Sequence, residues 1–194
     1  ILIVKYNSLG HLLWYYKYNG PANNFDEPID IKCDTEGNVI AAGNSEGINT
    51  GLDLVLIKFN PNGTRQWVSR FTGNGNVTDR FSSMCIDSQN NIIITGYSGS
   101  KLITIKYSSL GNIIWSSIFN TFDGFGTNVK CDPSGNIYVS GSCKRVPNDY
   151  DFILLKYSFN GNVQWVKYED SGVYDFSPFL ALDNAENILI SQGI

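Results

Sequence analysis

One short motif recurs four times in the sequence and constrains the fold more than any other feature. Its fullest copy runs from Asp132 through Gly135-Asn136 to Gly141 and has the pattern of a strand end, a tight turn and a second strand. Related copies begin at Asp34, Asp87 and Asp183. Gly and Asn tolerate the left-handed backbone that such turns require. The motif therefore predicts four hairpins of one type.

A second motif repeats in step with the first. A lysine and an aromatic residue precede a four-residue turn that ends in glycine, and a tryptophan follows four positions later. The lysines are Lys5, Lys58, Lys106 and Lys156, and the tryptophans are Trp14, Trp67, Trp115 and Trp165. The tryptophans recur about every 50 residues, a period typical of solenoids and propellers.

Each repeat contains four strand-like runs, which in the second repeat are 28–33, 38–42, 52–59 and 65–71. The runs are rich in Val, Ile, Leu and aromatic residues, and turn-forming residues separate them. No helical periodicity is sustained anywhere in the chain. Four short antiparallel strands at this period predict the blade of a β-propeller. We therefore expect an all-β protein with four four-stranded antiparallel blades.

The combined pattern resembles a known repeat family. Leu-x-Lys-Tyr-x-x-x-Gly-Asn-x-x-Trp, then an Asp, then Asp-x-x-Gly-Asn-x-Tyr-Val-x-Gly, is similar to the SBBP repeat of bacterial and archaeal β-propellers, most faithfully over 102–141. Asn90 and Glu186 replace the turn glycine, and Gln192 replaces the closing glycine. The resemblance implies an extracellular or cell-surface protein, such as an adhesive one.

The repeats are out of phase with the blades. Residues 1–19 supply two outer strands, 28–71, 81–120 and 127–169 supply complete blades, and 177–194 supply two inner strands. Pairing of the N-terminal and C-terminal strands in one blade would close a ring and leave no unpaired edge. We expect 1–194 to form such a single domain and to be monomeric. The alternatives are an excerpt of a larger ring, or a half-ring whose function is assembly.

The composition limits the kinds of partner that we expect, with regard to nucleic acid and to membranes. The net charge is −4 and the pI is near 4.9, so no basic surface for nucleic acid is expected. No apolar run approaches the ~20 residues that span a bilayer.

The four cysteines are expected to be free, buried thiols. Cys33 and Cys131 directly precede a turn aspartate, whereas Cys85 lies one position earlier. A disulfide requires Cα atoms within ~7 Å, and equivalent strands of different blades are not expected to approach so closely. Buried cysteines then behave as small apolar residues. No Cys-x-x-Cys or Cys/His cluster predicts a metal.

The propeller architecture places short hairpins at one end of each blade and long connections at the other, which we call the loop face. Irregular loops on a repeated scaffold are where binding residues concentrate. The aromatic candidates in these loops are Phe25, Phe122, Phe125, Tyr150 and Tyr174.

An acid precedes each inner strand, and the four are Asp26, Asp79, Asp123 and Asp175. One hypothesis is a ring of carboxylates at the axis that holds Ca²⁺, which takes ~6–8 oxygen ligands. The alternative is that each aspartate caps its own loop by accepting from backbone N–H groups. No other cofactor is predicted.

Residues for nucleophilic catalysis are not evident. His11 lies in a turn, and neither Gly-x-Ser-x-Gly nor a phosphate loop is present. The repeated lysines and tryptophans are expected to be structural, the lysines in ion pairs or carbonyl contacts and the tryptophans as wedges between sheets. We therefore predict a non-enzymatic recognition or scaffold module, outside the cell or on its surface, that binds a protein or glycan through the loop face. The alternative is a propeller-type lyase or hydrolase with an acidic, metal-assisted axial site.

Overall fold

A computed structural model describes residues 1–73, 77–146, 149–169 and 178–191. Within these ranges the chain forms sixteen β-strands. The chain divides into two compact units, Ile1–Arg80 and Phe81–Ile194. The assignment of 1–194 to a single domain therefore stays a prediction. None of the described residues belongs to a helix long and apolar enough to cross a membrane.

The first unit contains six antiparallel strands in two sheets. These are β1 (Leu2–Tyr6), β2 (Leu12–Lys17), β3 (Asp26–Cys33), β4 (Val39–Gly47), β5 (Gly51–Phe59) and β6 (Arg65–Phe71). Strands β1 and β2 form a two-stranded sheet, and β3 to β6 form a four-stranded sheet in chain order. The predicted strands are present, but the β4–β5 hairpin continues to the pair Gly47 and Gly51.

The remaining ten strands repeat this pattern, and the first of them begins at Asp79, just before the unit boundary. They are β7 (Asp79–Ile86), β8 (Ile92–Ser98), β9 (Lys101–Tyr107), β10 (Ile113–Phe119), β11 (Phe122–Cys131), β12 (Ile137–Val146), β13 (Asp149–Tyr157), β14 (Val163–Glu169), β15 (Phe179–Leu182) and β16 (Ile188–Ser191). Strands β7 to β10 and β11 to β14 form two four-stranded sheets, and β15 pairs with β16. Three complete four-stranded sheets are thus present in the described part of the chain.

The predicted closing blade is not found. Strands β1–β2 and β15–β16 form separate two-stranded sheets among the described residues, rather than one four-stranded sheet. Each hairpin instead buries apolar side chains against a complete sheet of its own unit. Face-to-face packing satisfies these side chains without pairing the two hairpins, so the hydrophobic pattern alone did not specify closure.

The core of each unit lies between adjacent sheets. In the first unit, Ile3 of the β1–β2 hairpin packs with Val55, Ile57 and Phe59 of β5, and Trp14 borders this cluster. In the second unit, one cluster joins β8 and β9 to β11, β12 and β13, and another seats Leu180 of β15 against Tyr138 and Leu154. Stacked sheets bury alternate residues of their strands in this way.

The recurring Asp turn has one geometry in all four copies. Oδ1 of Asp34 accepts from the backbone N–H of Asn38 at 2.8 Å, and Oδ2 accepts from the Asn38 side-chain amide at 2.8 Å. The same two bonds join the other aspartate–asparagine pairs, which are Asp87 and Asn91, Asp132 and Asn136, and Asp183 and Asn187. The motif is therefore a side-chain-locked hairpin.

Two of the recurring lysines form buried ion pairs with these turns. Nζ of Lys58 lies 2.9 Å from Asp34, and Nζ of Lys106 lies 2.8 Å from Asp87, with all four side chains at most 5% exposed. Burial raises the pKa of Asp34, but the hydrogen bonds from Lys58 and Asn38 outweigh it and hold the pKa below its usual value. Asp87 behaves alike, with Lys106 and Asn91 as donors. The structural role predicted for these lysines is confirmed.

Neighbouring repeats are joined at a single backbone carbonyl. Nζ of Lys5 and Nε1 of Trp14 donate to the carbonyl of Pro61, at 2.9 and 3.3 Å. In the second unit, Lys106 and Trp115 donate to the carbonyl of Phe159 in the same way, at 3.3 and 3.1 Å. Because the donors and the acceptor belong to successive repeats, this joint confirms the tryptophan as a wedge between sheets.

The prediction of four free thiols was wrong. Cys85 and Cys131 form a disulfide with their Cα atoms 6.5 Å apart. Cys85 lies one position earlier in its repeat than Cys131, and a shift of one residue reverses the face from which a strand side chain projects. The two side chains therefore face each other between adjacent sheets. Cys143 is a buried free thiol as expected, whereas the free thiol of Cys33 is exposed.

Candidate functional site

The candidate site lies at the loop end of the β11–β14 sheet. The register pairs Phe122 with Lys144 and Lys144 with Tyr150, which places one residue from each of three strands in a row. The register shifts between Phe122 and Phe125, and Asp123 lies in this irregular segment. Three of the predicted aromatic candidates and one of the predicted acids thus meet at a single place.

Asp123, Lys144 and Tyr150 form a compact polar cluster. Oδ2 of Asp123 accepts from Nζ of Lys144 at 2.6 Å and from the Tyr150 hydroxyl at 2.7 Å. The same lysine Nζ lies 4.7 Å from the centre of the Tyr150 ring, a cation–π contact. The three side chains therefore fix one another's positions at the surface.

The cluster sets the protonation state of each member. The hydrogen bonds from Lys144 and Tyr150 hold the pKa of Asp123 below its usual value. The bond to Asp123 raises the pKa of Lys144, and burial together with Asp123 raises the pKa of Tyr150. At neutral pH the cluster is a carboxylate, an ammonium group and a neutral phenol.

Two phenylalanines flank this cluster. The ring of Phe125 packs against that of Tyr150, with centroids 5.8 Å apart. Phe122 is 84% exposed, the largest exposed fraction among the large apolar side chains described. An exposed apolar ring therefore lies beside a fixed set of hydrogen-bonding groups.

The backbone at Asp123 is strained. Its φ is +49°, in the left-handed region that L-residues other than Asn and Asp seldom adopt. The contacts of its carboxylate with Lys144 and Tyr150 hold this conformation. Strained residues held by their surroundings are concentrated at functional sites.

The acids predicted at the other loops lie in different settings. Oδ2 of Asp26 accepts from the N–H of Gly20 at 2.9 Å, and Oδ2 of Asp79 accepts from the N–H of Gly73 at 2.5 Å. Each aspartate thus accepts a hydrogen bond from the backbone of a glycine six positions earlier. Phe25 is exposed in the first of these loops. Asp175 and Tyr174 lie outside the described residues.

A second polar cluster anchors the loop end of the first unit. Asp26, Ser45 and Asp53 lie opposite one another on β3, β4 and β5. The Arg70 guanidinium donates to Asp53 at 3.0 Å, to the Ser45 hydroxyl at 2.8 Å and to the Tyr18 hydroxyl at 2.7 Å. The Oδ1 atoms of Asp26 and Asp53 are buried without a protein hydrogen bond in the described structure. Because Arg70 already supplies a cation, this cluster is suited to anchoring loops rather than to holding a metal.

Calcium at an axial acid ring stays a prediction. Among the residues that the structure describes, no three His, Cys, Asp or Glu side chains are grouped closely enough to hold a metal ion. The two described aspartates with loop contacts to glycine fit the capping alternative, and Asp123 is engaged by Lys144.

Sequence reasoning missed Lys144 and Arg70. Lys144 has no basic counterpart in the other repeats, and the position of Arg70 is basic in only one other repeat, at Lys17, so neither was marked by recurrence. One signal did separate Asp123 from its sister acids, because it lies nine residues before its turn aspartate, whereas Asp26, Asp79 and Asp175 lie eight before theirs. The extra residue accompanies the register shift in β11.

Comparison with known proteins supports the fold. The repeated antiparallel sheets resemble the crystal structure of a subtype N11 neuraminidase-like protein of A/flat-faced bat/Peru/033/2010 (H18N11), with a TM-score of 0.51 and 14% identity. The match covers 82% of this chain and 50% of that one. With the sheets described above, this likeness defines a β-propeller type of repeat protein.

A sequence relative is similar over part of its length. It is described as an uncharacterized WD repeat-containing protein of Acanthamoeba polyphaga mimivirus, and it is 27% identical over 194 aligned positions. The match covers 73% of this chain but only 14% of the relative. No family model matches the chain.

Proposed function

We propose that this chain is a non-enzymatic recognition module that binds a protein segment at the cluster of Asp123, Lys144, Tyr150, Phe122 and Phe125. The observation that carries the proposal is the meeting of these side chains from three strands around the exposed Phe122 ring. Interfaces combine apolar anchors with polar groups of fixed orientation. The WD-repeat character of the relative supports a scaffold for protein partners.

The protonation states support recognition over catalysis. An acid or base works best when its pKa lies near the working pH. The shifts at Asp123, Lys144 and Tyr150 all move their pKa values away from neutrality. The cluster therefore offers fixed charges and donors rather than a proton-transfer group.

An extracellular or cell-surface location belongs to the same proposal. The Cys85–Cys131 disulfide supports it, because disulfides persist in oxidising compartments. Membership of the SBBP repeat family is proposed on the sequence motifs alone. A glycan is the second candidate ligand, since aromatic faces beside charged groups suit sugars as well as peptides.

The test is a binding screen with matched variants. Immobilised chain is screened against a displayed peptide library and a glycan array, and hits are measured by calorimetry. Phe122→Ala and Lys144→Ala should each weaken a peptide hit at least tenfold. Leu110→Ala, which removes an exposed apolar side chain from a tight turn of the same unit, is the control. If the same two variants weaken a glycan hit instead, the ligand is a glycan rather than a protein. Hits that neither variant weakens would contradict this site.

A further inference from the structure

The turn between β5 and β6 contains the acceptor sequence for an N-linked glycan. Such a glycan is attached to the side-chain amide of asparagine in Asn-x-Ser or Asn-x-Thr, where x is not proline. Asn62, Gly63 and Thr64 fit this pattern. The other match in the sequence, from Asn76 to Thr78, begins outside the described residues. Asn62 is therefore the acceptor whose surroundings the structure shows.

The position of Asn62 in the turn is open to solvent in every repeat. Asn62 and Thr64 are both exposed. Leu9 and Leu110 have the same position in the turns of two other repeats, and they are 77% and 74% exposed. Asn160 has it in the remaining turn and is exposed as well. A bulky sugar at this position would therefore displace no packed side chain.

The side-chain amide of Asn62 is held through its oxygen. Oδ1 accepts from the backbone N–H of Thr64 at 3.1 Å and from the Thr64 hydroxyl at 2.9 Å. The amide also has a nitrogen that can donate two hydrogen bonds, and this Nδ2 atom donates none in the described structure. The nitrogen that would carry the sugar is thus free, while Thr64 holds the rest of the amide.

The turn maintains this arrangement with its own residues. The backbone N–H of Asn60 donates to the Thr64 carbonyl at 2.9 Å, and the backbone N–H of Gly63 donates to the Asn60 carbonyl at 3.0 Å. Oδ1 of Asn60 also accepts from the N–H of Thr64 at 2.9 Å. Because these partners all lie within five residues, the acceptor geometry does not depend on how the sheets pack.

The turn between β13 and β14 has the same backbone without the acceptor sequence. Asn160 corresponds to Asn62, but Asn162 is at the place of Thr64. Oδ1 of Asn160 accepts from the Ser158 hydroxyl at 2.5 Å and from the Asn162 side-chain amide at 3.2 Å. The turn glycine has a φ of +91° in the first turn and +86° in the second. The two turns thus differ in the hydroxyl group that the acceptor sequence requires.

We propose that Asn62 is the attachment site of an N-linked glycan. Nδ2 of Asn62 forms a bond to the anomeric carbon of an oligosaccharide that is supplied as a lipid pyrophosphate. The bond from this carbon to the pyrophosphate oxygen breaks, the pyrophosphate leaves with the electron pair, and the amide loses one proton to a base of the transferring enzyme.

The glycan rests on the extracellular or cell-surface location proposed above. The Cys85–Cys131 disulfide supports that location, because the compartments that form disulfides are those through which secreted proteins pass. The glycan is independent of the ligand that the Asp123 cluster binds.

Expression of the whole chain in eukaryotic cells, behind a secretion leader that is cleaved off, tests the site. Every variant carries Asn76→Gln, which removes the other acceptor sequence. Peptide mass spectrometry of the secreted protein should find a glycan on Asn62. Thr64→Asn, which copies the turn of Asn160, should remove this glycan. Asn162→Thr should add a second glycan at Asn160.

The outcomes separate a failure of the site from a failure of the location. A secreted and folded chain without a sugar on Asn62 would overturn the proposed site, since the leader delivers the chain whatever its natural destination. In protein from the natural source, an unmodified Asn62 beside an intact Cys85–Cys131 bond would overturn the glycan alone. Four reduced cysteines there would overturn the location, and the glycan with it.

Discussion

Gly63 lies directly under the indole ring of Trp14, and a Cβ placed on it would fall 2.5 Å from Cγ of that ring. Its φ is +91°, so a side chain would also be strained by the left-handed backbone. Gly63→Ala should therefore cost about 1–2 kcal/mol for the backbone and a further ~1–3 kcal/mol for overpacking. Urea unfolding followed by tryptophan fluorescence measures the loss.

Gly10 is the matched control for this change. It has the same place in its own turn and a φ of +82°, but no atom lies within 4 Å of the position that a Cβ would take. Gly10→Ala should lose only the backbone contribution. Equal losses at the two glycines would contradict a packing role for Trp14.

The buried pair of Lys58 and Asp34 gives a second prediction. Removing one partner leaves an uncompensated buried charge, so Lys58→Met should lower the free energy of unfolding by about 3 kcal/mol or more. Lys32→Met breaks the partly exposed pair with Asp30 and should cost less than about 1 kcal/mol. Similar losses from the two variants would argue that the Lys58 pair is solvated.

Because of the same pair, the stability of the folded protein depends on pH. The pKa of Asp34 lies below its usual 3.8 in the folded protein, so the unfolded chain binds more protons as pH falls. The stabilisation is complete above that value and is lost as pH drops through the folded pKa. The free energy of unfolding, measured with urea between about pH 5 and pH 2, should fall less steeply with decreasing pH for Asp34→Asn than for the native chain. Glu169→Gln, which changes an exposed acid, should leave the native pH dependence unchanged.

The Cys85–Cys131 bond gives a prediction that is independent of the turns. Thiol titration of the unreduced, denatured chain should find two free thiols, those of Cys33 and Cys143. The bond links residues 46 apart in sequence, and the chain-entropy relation assigns it about 4 kcal/mol. Replacing both cysteines with serine should lower stability by that order, whereas Cys33→Ser should not. Four titratable thiols would contradict the bond.

Glu186 occupies a turn position that two sister turns give to glycine. Its φ is +63°, whereas Gly37 and Gly135 have φ of +77° and +82° at the same place. Glu186→Gly should relieve a left-handed strain of about 1–2 kcal/mol, less ~0.5–1 kcal/mol of added chain entropy. Thermal unfolding measures the gain. Glu36→Gly, one position before Gly37, should be destabilising instead.

Local chemistry made the hairpins predictable from sequence. The bonds from Asn38 to Asp34 span four residues, so the motif carries all of its own partners. The strands were predictable as well, because an apolar run between two such turns has few alternatives to a β-strand. The ion pair of Lys58 with Asp34 was also predictable from sequence, since both residues recur in phase.

Features that join different strands without recurring were not predictable. The Cys85–Cys131 bond depends on a one-residue offset between two repeats and on how closely their sheets approach. The cationic partners of the buried aspartates were not predictable for the same reason. Asp53 is paired with Arg70 from β6, whereas the equivalent Asp151 lies 3.7 Å from Arg145 of β12. The candidate site depends on Lys144 in the same way, because its contact with Asp123 follows from a shift in β11.

The joint at the Pro61 carbonyl also bears on how such a chain can grow. One repeat supplies the donors, Lys5 and Trp14, and the following repeat supplies the acceptor. A duplicated segment therefore arrives with a donor pair for its successor and an acceptor for its predecessor. Gene duplication can lengthen the array by whole repeats without any new contact having to evolve, while a partial duplication leaves one half of a joint unmatched.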